Sequence, residues 1–227
     1  METAPFLRLM LVGEDRAFAG RLLRVLREAE AGSMVLVGAV AGVDEGCAQA
    51  EAARPDVVLH DLAAGGLAAL EHLAARCAAP VLALAGDDDP VTREQAVRAG
   101  ASGILAKDEA PETLCKAVRK VAAGEVWLDR ATLGRMLKAL ARTPQPIALP
   151  DSGRIANLTS RESDIVRALL RHEGASGREL ARHLGMSEQT LRNHFSAIYR
   201  KLGISNRLGL VSYAARLRPD RAAKLRS

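Results

Sequence analysis

The sequence predicts two units of different class: a five-stranded, parallel, doubly wound α/β sheet, then a small all-α domain of four helices. Three observations predict it. Between Leu7 and Ala123, five short apolar runs alternate with segments of helical periodicity. Beyond Pro150 such runs cease, and three capping signals each open an amphipathic helix. Charge divides the chain the same way. Through Ala141 there are 16 Lys and Arg against 20 Asp and Glu, a net −4; from Arg142 onward 16 stand against 7, a net +9.

Leu7 to Val12 is a near-continuous apolar run, as a strand covered on both faces requires. A helix follows from about Ala17 to Ala29, with Phe18, Leu22, Leu23, Val25 and Leu26 as its buried face. Met34 to Val40 is the second strand, and a helix spans about Asp44 to Arg54. Val57 to His60 is the third strand, ending at Asp61; Gly65-Gly66 opens a loop before a helix of about Leu67 to Arg76. Val81 to Ala85 is the fourth strand, after which Asp89 caps and Pro90 starts a helix that stops at Gly100. The fifth strand, Ile104 to Ala106, ends at Lys107, and Pro111 begins a helix running to about Ala123.

A helix is expected from about Arg130 to Ala141, and the Pro-rich stretch from Thr143 to Gly153 reads as an exposed linker. The divisions are therefore 1–124, a linker of 125–154 carrying a helix, and 155–227. Thr159-Ser160-Arg161-Glu162 is a capping box opening a helix that turns Ile165, Val166, Leu169 and Leu170 inward. Ser176 to Glu179 is a second box, opening a short helix that ends at the Gly185-Met186 turn. Ser187 then caps a helix whose Leu191, Phe195, Ile198 and Leu202 form one buried stripe, with Gly203 as its stop. Arg207 to Arg218 is the fourth helix, and Arg221 to Arg226 a basic tail.

The tight pair of helices around Gly185 is a helix-turn-helix, and the positive charge of this third of the chain suits a polyanion. In such a pair the second helix enters the major groove, which puts Gln189, Arg192, Asn193 and Ser196 on the reading face. Arg192 is the candidate for a bidentate guanine contact; Thr190, Arg200 and Lys201 suit phosphates. The bland alternative is a helical bundle with a solvated basic face.

A parallel sheet places functional groups at the carboxyl ends of its strands. Those ends carry Glu14-Asp15, Asp61 and Lys107, three carboxylates and a lysine brought to one edge. Crowded carboxylates repel, so a divalent cation among them makes physical sense, and magnesium suits an all-oxygen set. His60 is expected to be a partly exposed side chain rather than a ligand. A nucleotide-cofactor enzyme is disfavoured, because no Gly-rich phosphate loop follows the first strand. Cys47, Cys77 and Cys115 are too widely spaced for a disulfide framework or metal cluster and read as small buried residues, a redox sensor being the alternative. No apolar stretch approaches a membrane span and no targeting segment is visible, so a cytoplasmic protein is expected.

Two stretches of sequence resemble known families. Pro55 to Leu62, the Glu14-Asp15 pair and Gly100 to Asp108 resemble the receiver domain (flavodoxin-like) of two-component response regulators. Leu158 to Glu162, Arg178 to Ser187, Thr190 to His194 and Arg200 to Gly203 look like the LuxR-type helix-turn-helix domain. Together the chain resembles the NarL/FixJ family. The resemblance implies a DNA-binding transcriptional regulator, not an enzyme, in which a histidine kinase phosphorylates Asp61. Glu14, Asp15 and the Ala63 carbonyl would help Asp61 hold Mg2+, and Lys107 would pair with the phosphoryl group. It further implies a homodimer on double-stranded DNA, with the last helix often the contact, and no membrane partner. Two switch positions depart from the family: Ala85 stands where Thr or Ser is usual, and Ile104 where an aromatic is usual. The loop after Asp61 also lacks the family's proline. The alternative is therefore a pseudo-receiver transcription factor, regulated without phosphorylation through a protein or ligand partner.

Overall fold

The computed structural model describes residues 6–28, 33–86, 89–135, 157–172, 175–204 and 206–216. Five parallel strands, β1 (Leu7–Val12), β2 (Met34–Val40), β3 (Val57–Asp61), β4 (Val81–Ala85) and β5 (Gly103–Ala106), form one sheet in the order β2-β1-β3-β4-β5. The apolar runs behave as strands because successive side chains leave the sheet on opposite faces and both faces are covered. On one face Leu9, Leu11, Val57, Leu59, Leu82, Leu84 and Leu105 meet α1 (Arg16–Glu28) and α5 (Pro111–Ala122). On the other, Met10, Val12, Val58, Val81, Ala83 and Ile104 meet α2 (Val43–Ala53), α3 (Gly66–Arg76) and α4 (Pro90–Arg98).

Register sets the functional edge. Val12 pairs with His60, Asp61 with Leu84, and Ala85 with Ala106, so the last residues of β1, β3, β4 and β5 lie side by side. Gly13 allows the acidic loop to close over this edge, since a Cβ there would lie 2.6 Å from the Asp61 Cβ. Asp89 caps α4 through the Val91 and Thr92 amides, with Pro90 in the first turn.

After α5 the chain runs beside β5 at the edge of the sheet, where Trp127 bridges to Gly103, and residues 130–135 are helical. The rest of the expected linker and its helix, and the basic tail, fall outside the described residues. Four helices complete the chain: α6 (Ser160–Arg171), α7 (Gly177–His183), α8 (Glu188–Leu202) and α9 (Arg207–Arg216). Both expected capping boxes form: Thr159 with Glu162, and Ser176 with Glu179. Ser187 caps α8, and Gly203 ends it at φ 67°. Leu191, Phe195, Ile198 and Leu202 bury against Ile165, Leu169, Leu180, Leu210 and Tyr213, a separate core that fixes the outward face of α8. No described helix is long and apolar enough to cross a membrane.

Candidate functional site

At the carboxyl edge of the sheet, Lys107 Nζ donates to Asp61 Oδ2 at 2.6 Å and to Asp15 Oδ2 at 3.1 Å. The Ala63 amide donates to the other Asp61 oxygen at 2.9 Å, and the Phe18 amide to Asp15 Oδ1 at 2.9 Å, so both carboxylates are held from two sides. These short reaches follow from the fold: Asp61 ends β3, Asp15 caps α1 after β1, and Lys107 follows β5 across β4. The Asp61 side chain is 4% exposed and that of Asp15 37%, so the acceptor candidate is the drier of the two.

The Phe18 amide, with the Lys107 ammonium, lowers the Asp15 pKa. Burial opposes the Lys107 charge, but hydrogen bonds to Asp61 and Asp15 outweigh it and hold its pKa above the ordinary lysine value. Lys107 is thus a fixed cation. Asp15 and Asp61 together present carboxylate oxygens to one point, a donor chemistry that fits a hard divalent cation completed by water. Glu14 is exposed, and no group of three or more candidate metal ligands gathers among the described residues. The structure thus brings together Asp15, Asp61 and Lys107, and leaves Glu14 at the rim.

Ala85 ends β4 beside this group, 1% exposed, its methyl offering no hydroxyl; its carbonyl accepts the Lys107 amide at 2.9 Å. Ile104 is 3% exposed and packed in the core facing α2–α4. His60 corrects a sequence expectation: rather than partly exposed, it is wholly buried, because its position in β3 turns it into the sheet's covered face. Burial lowers its pKa, so the ring is neutral. Cys47 and Cys115 are buried in α2 and α5, while Cys77 is half-buried beyond α3. Burial, with Cys47 beside it, pushes the Cys77 thiol up to about 12, which leaves it a poor nucleophile.

The second site is the outward face of α8, and the structure turns it toward the receiver-like unit. Gln189, Arg192, Asn193, Ser196 and Arg200 all line a cleft whose other wall includes Asp56, Pro80, Ser102 and Ala122. Arg192 Nη1 lies 3.9 Å from Asp56 Oδ1 and donates to the Ala122 carbonyl at 3.4 Å, while its Nη2 donates to Gln189 Oε1 at 2.6 Å. Two further contacts join the units. Asn206 Nδ2 donates to the Ala101 carbonyl at 3.1 Å, and Gly177 abuts the Ala123 carbonyl so closely that a Cβ there would collide with it.

The residues assigned to phosphates divide. Arg200 is exposed. Thr190 is taken up by the helix cap, its amide donating to Ser187 Oγ at 3.0 Å. Lys201 reaches across to Glu162 at 2.7 Å, pairing with a carboxylate that is 6% exposed and also closes the α6 capping box. Burial opposes the Glu162 charge, but Lys201 and Thr159 outweigh it and lower its pKa. Sequence reasoning missed the partners Asp56, Ala122, Glu162 and Asn206. Pro55-Asp56 reads simply as the entry to β3, and nothing local signals a partner 136 positions further on.

The chain matches the model of the response regulator receiver domain over residues 9–119, and that of the bacterial regulatory proteins of the luxR family over residues 156–214. It is 30% identical over 206 residues to a nitrate/nitrite response regulator protein homolog of Haemophilus influenzae, covering 89% of this chain and 93% of that protein. It is 29% identical over 193 residues to the DNA-binding transcriptional activator DevR/DosR of Mycobacterium tuberculosis, covering 82% and 84%. Among solved structures, it shares the fold of a LuxR-family two-component response regulator from Aurantimonas sp. at 22% identity and TM-score 0.51, covering 61% of this chain and 100% of that one. The fold also matches the Salmonella typhimurium RcsB response regulator at 18% identity and TM-score 0.50, covering 93% and 99%.

Proposed function

Because the chain belongs to the response regulators that join a receiver domain to a LuxR-type regulatory domain, we propose that Asp61 is its phosphoacceptor and that phosphorylation frees α8 from the receiver. The protein is a DNA-binding transcription regulator of the two-component type. The observation that carries the proposal is the engagement of Arg192 by Asp56 and the Ala122 carbonyl, which takes the candidate guanine reader out of service. A reading face that lies in a cleft against the receiver cannot also lie in a major groove.

The chemistry at Asp61 is positioning plus charge neutralisation. One Asp61 oxygen is held by the Ala63 amide; the other, now bound to Lys107, is the nucleophile toward the phosphoryl group of a histidine kinase. Asp61, Asp15, Glu14 and the Ala63 carbonyl would hold Mg2+, which would supply neutralisation of the incoming oxygens. Phosphorylation adds about −1.5 to −2 charge. Lys107 then exchanges a carboxylate for a phosphoryl partner. Ala85 gives that group no hydroxyl, so the pull on β4 is weaker than a Thr or Ser would exert. For a second reading, in which a ligand or protein replaces phosphate as the signal, Ala85 and Ile104 are the supporting residues.

The divisions proposed are a receiver of 1–124, a linker of 125–154 and a DNA-binding domain of 155–227, acting in the cytoplasm as a homodimer on double-stranded DNA. Sedimentation of the full chain with magnesium, with and without beryllium trifluoride as an acyl-phosphate mimic, tests the proposal against Asp61→Asn. A shift to dimer confined to the unsubstituted protein, with a gain in DNA affinity, is expected. No shift, with equal DNA binding in both proteins, would transfer control to the second reading.

A further inference from the structure

The cleft that faces α8 lies at the opposite edge of the sheet from Asp61. Its receiver wall is built from Pro55-Asp56 before β3, Pro80 before β4 and Ser102 before β5. Its volume is about 840 Å³, the size of pockets that hold small organic molecules. Alanines 50, 74, 78 and 79 and the two prolines give one side of it an apolar surface. The charged side chains are unbalanced, with Arg54, Arg76, Arg192, Arg200 and Arg207 against Glu51, Asp56 and Glu125.

Three residues that line this cleft each carry a donor atom that is buried with no hydrogen-bond partner among the described residues: Arg192 Nε, Arg207 Nη1 and Tyr199 Oη. Buried polar groups are nearly always paired, and a guanidinium cannot escape the cost by losing its proton. Arg192, Ser196 and Tyr199 follow one another at intervals of four and three on α8, so the helix presents them as a single stripe. Arg207 opens α9 beside the end of that stripe, and its other terminal nitrogen donates to the Ala175 carbonyl, which fixes the direction of the free one. Burial depresses the Arg207 pKa and raises that of Tyr199, and Tyr199 keeps its proton as a donor. Tyr199 is also stacked on Phe195, with centroids 5.7 Å apart, and so does not swing out to find water.

Donors left over on one side of a cleft, with excess positive charge and an apolar wall, are the chemistry that binds an oxyanion on a compact organic body. We infer that the cleft between receiver and α8 is a binding site for a small organic anion, bearing a carboxylate or a phosphate, that bridges the two domains and holds the recognition helix off DNA. The inference rests on the closed arrangement described above for its effect on DNA. Binding itself does not depend on Asp61, which lies at the other edge of the sheet.

The experiment is isothermal titration of the full chain with phenyl phosphate, benzoate and inorganic phosphate, in the unsubstituted protein and in Arg207→Gln and Tyr199→Phe. Saturable one-to-one binding of phenyl phosphate or benzoate, tighter than inorganic phosphate, is expected, and the tighter of the two identifies the oxyanion. At least a tenfold loss of affinity in either variant, with its melting temperature preserved, supports the site. Tyr199→Phe removes a hydroxyl and keeps the stack on Phe195, so it folds even where Arg207→Gln does not. No saturable binding at millimolar probe, or affinity in both variants unchanged from the unsubstituted protein, overturns the inference. The same probe is then added to protein with a labelled DNA duplex. Weakened DNA binding completes the inference, whereas binding in the cleft with unchanged DNA affinity keeps the site and overturns the closed-helix reading.

Discussion

Asp56→Asn isolates the contact that holds α8 against the receiver. Asn keeps an oxygen for the Arg8 amide, which donates to Asp56 Oδ2 at 2.8 Å, so β3 is not disturbed. What it removes is the charge 3.9 Å from Arg192, in a pair whose side chains are 11% and 19% exposed. At that separation and an effective dielectric constant of about 20, the gross attraction is about 4 kcal/mol. Desolvation of both groups and competition from water reduce the net loss to about 1–2 kcal/mol. That loss falls on the closed state alone, and each 1.4 kcal/mol is a factor of about ten in the open fraction. The unphosphorylated variant should therefore bind DNA about 5- to 30-fold more tightly while the closed state predominates. Fluorescence anisotropy with one labelled duplex at one fixed salt concentration measures it, since salt alone moves such affinities by orders of magnitude. Unchanged affinity would show that the Asp56–Arg192 contact does not restrain the helix.

Three further outcomes are expected. Ala85→Thr restores a hydroxyl beside Asp61 and Lys107, and a charge-assisted hydrogen bond of about 1.5–3 kcal/mol should enlarge the dimerisation induced by beryllium trifluoride; an identical sedimentation response would mean that Ala85 does not weaken the switch. Arg192→Ala should lose discrimination at one base pair, by about 1–3 kcal/mol across a set of singly substituted duplexes; a uniform loss on every duplex would make it a phosphate contact. Glu162 has a folded pKa below the carboxylate value of 4.5, so its contribution is present above pH 4.5 and is lost as pH falls through the lower folded value. Glu162→Gln can keep the capping box but not the Lys201 pair, so it should melt lower at pH 7 and show a flatter acid limb below pH 4.5; parallel acid limbs in thermal melts would contradict that assignment.

Much of this protein is decided locally. The apolar runs at Leu7, Met34, Val57 and Val81 are strands because residues buried on both faces need no polar alternation, and the helices between them force a parallel sheet. Thr159, Ser176 and Ser187 fix where three helices begin, because each cap satisfies amides within three residues of itself. The edge holding Asp15, Asp61 and Lys107 follows from strand parity and the rule that such sheets work at their carboxyl ends. Even the outward face of α8 is legible, because Leu191, Phe195, Ile198 and Leu202 take the opposite side.

What the tertiary structure alone decides is partnership across distance. Lys201 pairs with Glu162, and Arg192 with Asp56 and the Ala122 carbonyl, since a long cationic side chain takes whatever acceptor packing brings within reach. His60 is buried, and not half-exposed, because the covering of β3 depends on helices remote in sequence. Periodicity records which face of an element is apolar. Which polar residues meet there is set by the docking of elements whose separation along the chain carries no local signal.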